Sequence, residues 1–515
     1  MKKFILNNCF LYFLFSVTVF IFILMNTVLY SAVDMDYWAR LLQGNAFFQL
    51  GTILKTDIFS YTPTHKWLDH EWGASIIFSL IQNIFGYVGV LFFKTILVFL
   101  IFLFLYKTIR LYKKENDFIF NLLYSLLIVL AIPTITQSWI RCHLFTFLFF
   151  SISIFIVEKV RLYKNYKLLY ILPVIMLFWV NIHGGCVSLL GVLFIYIIGE
   201  LLNKKEYKHF LYVLLLSFLV MFINPYGFDY VKFIFMATTM ERPFVTEWIS
   251  PFAHSDKFFM IEFKVLYLVN LILLIFSLKK IKLDYTKYIL LFVCAYLSFK
   301  YVKNTPFFIM TSAVFLYDEL LNIIEFLIKK IKINLNSSKL FIFISCIVII
   351  FSFFKLLINI NYIYYPNLSM QPVDVVNFIA KKGLKGNILA PFDMGSYIVY
   401  KLFPNNLIYM DGRYEEVYYK KTKDLLDSFY NVKENWDEIL KQSYKHDYII
   451  VPSNALVNDY LSKRDDFKRI YSDPYNILYI NTDLKYGEKE IHYASTFGFV
   501  SNPFKTSVNY IEYKK

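Results

Sequence analysis

The sequence predicts a mainly α-helical, polytopic membrane protein with about 11 transmembrane helices and a C-terminal soluble α/β domain. Three observations carry this reading. Hydrophobic residues make up 58% of the 515 and aromatic residues 20%, whereas soluble domains are roughly 45–50% apolar. The apolar residues are gathered into runs that cross or nearly cross a bilayer. Charge is gathered too: residues 1–365 hold 33 Lys and Arg against 19 Asp and Glu, while residues 366–515 hold 20 against 19.

The first run, from Phe10 to Val33, contains no charged residue and measures about 36 Å as a helix, enough to span. Met1-Lys2-Lys3 before it resembles a signal-peptide start. The run is too long for one, and Leu29-Tyr30-Ser31-Ala32 is a poor cleavage site, so a retained first span is expected. Further runs cover 87–106, 118–136, 143–158, 168–182, 187–202, 209–223, 264–278, 288–302, 305–327 and 340–360. Residues 73–86 are amphipathic and too short to span, which suits a helix lying in the membrane interface.

With a cytoplasmic N-terminus, the inner segments carry 21 Lys and Arg in 56 residues, about four times the density of the outer ones, as the positive-inside bias requires. An odd number of spans then leaves the tail outside. The inner segments are short, Lys-rich and otherwise featureless. Seven of the eight histidines (all but His209) and all seven tryptophans fall outside or at outer span ends. Chemistry is therefore expected on the outer face.

In the tail, Val375 to Lys382 reads as a helix, and residues 387–390 and 407–410 as buried strands. Residues 421–430 and 434–442 read as helices, and 448–451 and 475–481 as strands. The expected domains are a polytopic part, 1–365, with a catalytic outer loop, 34–86, and an extracytoplasmic α/β part, 366–515. Nucleic-acid binding is excluded, because the excess of basic residues lies between apolar runs and forms no soluble basic face. The five cysteines have no metal-ligand spacing and imply no disulfide framework.

The outer loop is the richest in chemistry. It opens with Asp34 and Asp36 in Val33-Asp34-Met35-Asp36-Tyr37-Trp38, at the mouth of the first span, where an enzyme acting on a lipid head group needs its base. It continues with Arg40, Asp57, Phe59-Ser60 and Trp67-Leu68-Asp69-His70-Glu71-Trp72. Paired carboxylates suit a base and its orienting neighbour, although Asp34 equally suits a cap on the following helix. Arg141 is a candidate phosphate ligand, since a guanidinium pairs bidentately with an oxyanion. Asn181 and His183, in Trp179-Val180-Asn181-Ile182-His183-Gly184-Gly185, stand at another outer span end, and Lys303 follows the ninth run. Lysines at that depth are commonly interfacial. Asn224-Pro225-Tyr226-Gly227 reads as a turn, and Asp411-Gly412-Arg413 as either a ligand-binding turn or a structural ion pair. His, Asp and Glu in the outer loop admit a divalent cation, but no spacing there is diagnostic, and no metal or cofactor is expected.

Taken together, Asp34-x-Asp36-x-Trp38, Asp57-x-Phe59-Ser60, His70-Glu71-Trp72, Trp179-x-Asn181-x-His183-Gly184-Gly185, Asn224-Pro225-Tyr226-Gly227 and Asp411-Gly412-Arg413 resemble an uncharacterised bacterial subgroup of the GT-C membrane glycosyltransferases. That superfamily includes the protein O-mannosyltransferases and the lipid A aminoarabinose transferases. Asp34 matches the leading acid of the motif after the first span, and Asp36 replaces the usual adjacent Glu one step on. The resemblance implies transfer of a sugar from a polyprenyl-phosphate donor to a lipid, glycan or protein acceptor, with inversion and usually without a metal. It places the chain in a bacterial cytoplasmic membrane, with Asp34 as base oriented by Asp36. Arg141, His183 and Lys303 then serve the phosphate, and Trp38, Asp57, His70, Glu71 and Asn181 line the site. A polymerase or ligase of lipid-linked glycans, a transporter of them, and an assembly factor are the alternatives.

Overall fold

The structure, a computed structural model, describes residues 2–31, 33–112, 121, 124–129, 131, 135, 139–240, 246–278, 283–331, 337–364, 371–484 and 491–492; the expected span 118–136 lies largely outside them. The protein is mainly helical, with a small sheet near its C-terminus, and divides into two compact units. One comprises 1–31, 91–138 and 142–360; the other comprises 32–90, 139–141 and 361–515.

The first unit is built of helices α1 (Lys2–Tyr30), the second half of α3 (Trp72–Tyr112), α4 (His143–Tyr163), α5 (Leu172–Ile182), α6 (Val187–Leu202), α7 (Lys208–Val220), α8 (Phe228–Thr239), α9 (Ile261–Ser277), α10 (Tyr285–Lys300), α11 (Thr305–Phe315), α12 (Tyr317–Ile331) and α13 (Ser337–Ile358). Helix α1 packs along α13, α6 between α7 and α10, and α10 against α11. Among the described residues, four helices are long and apolar enough to cross a membrane: Phe10–Leu29, Trp72–Tyr112, His143–Tyr163 and Gly184–Leu202.

The run 305–327 is not one straight span, because its helices bend by 60° after Phe315. Counted together they give a fifth crossing. Several other runs form shorter apolar helices, such as Lys208–Val220. A run of 15 or 16 residues is about 24 Å long against a hydrocarbon core of about 30 Å, so composition overstates what length delivers. Phe178, Phe194, Leu219, Ile275 and Phe351 are each more than half exposed. Such an apolar exterior suits lipid and not water, so the protein is a multi-pass membrane protein.

The second unit joins the outer loop to the tail. Its six-stranded mixed sheet has the order β2-β1-β3-β5-β4-β6, with β1 (Gly386–Leu389), β2 (Asn406–Ile408), β3 (Tyr448–Pro452), β4 (Phe467–Ser472), β5 (Asn476–Asn481) and β6 (Ile491–His492). Strands β2, β1 and β3 run parallel; β5 is antiparallel to both β3 and β4. Helix α14 (Val373–Lys382) packs on β5 and α15 (Gly395–Leu402) on β2, while α16 (Lys420–Tyr430) packs against the 3-10 turn 436–441 and its Tyr430 hydroxyl donates to the Ile450 carbonyl of β3 at 2.8 Å. The loop extends the sheet at its β2 edge. Ser60 bridges Ile408 and Thr64 bridges Tyr418, and the Thr62 hydroxyl donates to the Tyr409 carbonyl at 2.8 Å.

Two glycines fix how the loop enters this unit. Helix α2 (Met35–Leu50) crosses the first half of α3 at Gly44, where an added Cβ would fall inside contact distance of the Ser75 carbonyl and the Ser79 side chain. The Ser79 hydroxyl donates to the Leu41 carbonyl at 3.1 Å across the same crossing. Gly44→Ala is therefore expected to force the helices apart and to destabilise by about 1–3 kcal/mol; a lowered melting temperature in detergent would show it, and an unchanged one would contradict the packing. Gly86, at φ 65° and ψ −165°, breaks α3. Only glycine adopts that backbone readily. The break separates the amphipathic residues 72–85 from the apolar 87–112, as the change in sequence pattern anticipates.

Candidate active site

Helix α2 begins where α1 has ended, and its first turn carries the two acids. Asp34 is the N-cap, and the Tyr37 amide donates to its Oδ1 at 3.2 Å. The capping reading of Asp34 is thus realised, and it coexists with a second partner. Arg141 Nε donates to Asp34 Oδ2 at 2.5 Å and lies 3.2 Å from Asp36 Oδ2. The three side chains differ in access: Asp34 is 10% exposed, Arg141 16% and Asp36 35%. Negative charge at a helix N-terminus is favoured by the helix dipole, so the backbone and the guanidinium together hold two carboxylates side by side. This arrangement can accept a proton and also orient an oxyanion.

The neighbouring residues of the loop do other work. Trp38 is wholly buried against Tyr397 and Tyr400, with ring centroids 5.0 and 5.1 Å away. Asp57 accepts from the Phe59 and Ser60 amides and pairs with Arg413. Neither offers surface to a substrate; both were expected at the site and instead build its support. Arg413 is the centre of that support. Its Nε donates to Asp411 at 2.9 Å, and its Nη2 donates to the Tyr418 hydroxyl at 3.0 Å. The guanidinium lies 5.0 Å from the Phe59 ring and 4.9 Å from that of Trp67. The turn Asp411-Gly412-Arg413 is therefore a fully buried ion pair, closed to ligands in this form.

His70 and Glu71 belong to a second charged cluster. His70 Nδ1 is 2.7 Å from Glu416 Oε1, and its Nε2 is 3.8 Å from Glu71. Arg40 reaches Asp69 at 2.8 Å, Glu71 at 3.3 Å and Glu416 at 3.8 Å. Among the described residues, His70, Glu71 and Glu416 are the one group of metal-ligand types close enough to share an ion. Arg40 and the Trp67 indole, which donates to Glu416 at 3.2 Å, face the same carboxylates, so the cluster reads as an ion-pair network.

Burial disfavours charge on His70, but the carboxylates of Glu416 and Glu71 outweigh it and push the imidazole up to about 9. Burial also raises Asp69, and Arg40 only partly offsets it, leaving it at about 6. A histidine raised from its ordinary 6.5 stabilises the fold fully below that value and loses the contribution as pH rises through about 9. Between pH 7 and 9.5 the wild type should lose about 2 kcal/mol more stability than His70→Gln does; parallel melting curves for the two proteins would refute the pairing.

The remaining predicted residues lie in the first unit. Trp179 Nε1 donates to Thr146 Oγ1 at 2.9 Å, and Thr146 is 2.7 Å from His183 Nδ1, which also accepts from the Gly185 amide at 3.0 Å. With Nδ1 accepting, the ring proton sits on Nε2. Asn181 Nδ2 donates to the Ile223 carbonyl, and its Oδ1 accepts from Asn224, so it ties α5 to the Asn224-Pro225-Tyr226-Gly227 turn. Lys303 lies over the Trp248 ring.

The segments expected to be featureless hold a network that sequence reasoning missed. Arg161 pairs with Glu158 at 2.9 Å, Glu200 at 2.7 Å and Asp284 at 2.8 Å. Glu158 is one helical turn from Arg161, but Glu200 and Asp284 are 39 and 123 positions away, too far for spacing to reveal them.

No protein-family model and no curated protein matches the sequence. Among solved structures, the chain is similar to the archaeal oligosaccharyltransferase AglB of Archaeoglobus fulgidus, solved in complex with an inhibitory peptide and a dolichol-phosphate. The TM-score is 0.56 at 10% identity, over 86% of this chain and 69% of that one. The likeness shows a shared fold. At that identity the likeness speaks for architecture alone. That shared architecture agrees with the fold that the motif resemblance implies.

Proposed function

We propose that the protein is an integral membrane glycosyltransferase that moves a sugar from a polyprenyl-phosphate-linked donor to a lipid, glycan or protein acceptor. The observation that carries the reading is a carboxylate pair, bound to an arginine, directly after the first span of a GT-C fold. Eleven spans, a cytoplasmic N-terminus and an extracytoplasmic 366–515 in a bacterial inner membrane complete the proposal. The acceptor hydroxyl gives its proton to a carboxylate of the Asp34–Asp36 pair, and its oxygen bonds to the anomeric carbon with inversion. The bond from that carbon to the phosphate oxygen breaks, and its electrons leave with the polyprenyl phosphate. Charge on the departing phosphate is met by the guanidinium of Arg141.

The test compares lipid-linked and surface glycans in cells with and without the protein. Loss of one sugar from surface material, with build-up of its single-sugar lipid donor, is expected. Build-up of a lipid-linked oligosaccharide would indicate a polymerase or ligase instead. Unchanged lipid-linked pools would remove the transferase reading.

A further inference from the structure

Resting on that reading, we infer that the two acids divide the work in the reverse of the order the motif suggests: Asp36 is the proton acceptor, and Asp34 is a positioning residue that holds Arg141. Three features of the first turn of α2 lead there. Both oxygens of Asp34 are engaged within the protein, Oδ1 by the Tyr37 amide and Oδ2 by Arg141 Nε at 2.5 Å. Its side chain is 10% exposed, so an acceptor hydroxyl has little path to it. Asp36 is 35% exposed, and its contact with Arg141 is the longer one at 3.2 Å.

A general base must come within hydrogen-bond reach of the proton it takes, and geometry precedes intrinsic strength in selecting it. The cap has a further consequence. A carboxylate that leaves the Tyr37 amide to meet a substrate leaves a helix N-terminus without its cap, whereas Asp36 lies inside the first turn and is not the N-cap residue. The Asp34 carboxylate is thus suited to hold the guanidinium by its Nε edge. The Nη1–Nη2 edge of a guanidinium is able to pair bidentately with an oxyanion, so holding Nε orients that edge. Phosphate orientation and proton removal then fall to different acids two residues apart. In the transfer step, the acceptor O–H proton passes to Asp36. The acceptor oxygen bonds to the anomeric carbon, and the phosphate leaves with the electron pair of the broken bond.

The full-length chain is purified and supplied with the lipid-linked sugar extracted from cells lacking the protein. Asp36→Ala should lower kcat about 10²–10⁴-fold, and added formate, a small replacement proton acceptor, should restore part of it. Asp34→Asn keeps the capping oxygen. It should leave kcat within a few fold and raise KM for the donor about 10-fold, matched by Arg141→Lys, as expected when a ground-state contact is weakened. Formate rescue of Asp34→Ala but not of Asp36→Ala would overturn the division and leave the transferase reading standing. Loss of turnover in both with rescue of neither would also overturn the division. Wild-type transfer in both Asp36→Ala and Asp34→Asn would remove the site assignment itself. A folding defect, read separately as a lowered melting temperature, is not restored by formate.

Discussion

The double variant Asp34→Asn, Asp36→Asn loses sugar transfer by a factor of at least about 10³, while the protein still inserts and melts within a few degrees of wild type. The factor follows from the two roles together: removal of a proton acceptor costs about 10²–10⁴, and loss of the group that orients Arg141 adds to it. Folding is spared because Asn at an N-cap retains a side-chain oxygen for the Tyr37 amide and ranks with Asp as a cap. At saturating donor the Asp34 share should vanish and a loss of about 10²–10⁴, from the missing proton acceptor, should remain, which separates it from weakened binding. Transfer within tenfold of wild type would mean that the carboxylates are structural and that the chemistry lies elsewhere in the fold.

Arg413→Ala has the largest expected effect on folding. The guanidinium is 0% exposed, as is Asp411, and Asp57 is only 1% exposed. Removing the cation strands two carboxylates away from water and empties the space between Phe59 and Trp67. Breaking a buried pair from one side costs about 3–5 kcal/mol, a large share of the stability of a domain. The outer loop and the tail should then lose their common core. The expected readouts are a melting temperature lowered by many degrees and new protease sites within 57–67 and 405–418. Arg413→Lys should rescue only partly, because a lysine has no planar fork to meet Asp57 and Asp411 at once. A fully stable Arg413→Ala protein would show that the aromatic packing alone carries this core.

Much of the architecture was legible because it depends on local pattern. The uncharged run before Asp34, the amphipathic stretch ahead of Gly86 and the apolar strands at 448–451 and 475–481 each carry a periodicity that sequence displays. Helix α15 was missed because Gly395–Leu402 is rich in Tyr, Ile and Val, which read equally as a strand. Strand β4 was missed because Lys468 and Arg469 interrupt its apolar pattern; they point outward between buried Phe467 and Ile470.

The candidate site was legible in its residues and not in its pairings. Asp34 and Arg141 stand 107 positions apart, and Asp57 and Arg413 stand 356 apart. A single sequence does not encode such distances by spacing. Trp38 is the converse case: the resemblance implies that it lines the site, but the helical repeat turns it toward Tyr397 and the core.

The Arg161 network also bears on how the chain is made. Its members emerge from synthesis in the order Glu158, Arg161, Glu200 and Asp284. The first two lie one helical turn apart on α4, so the first acid meets its counter-charge within the same segment. Glu200, buried near the end of α6, then finds a guanidinium already in place. Asp284 arrives last and accepts from Nη2 at the start of α10. Each acid thus appears after, or three residues from, the guanidinium that pairs with it, which limits the time any of them spends unpaired during insertion. The arrangement gives α10 an address, because its N-terminal acid pairs with a guanidinium that α4 and α6 already hold.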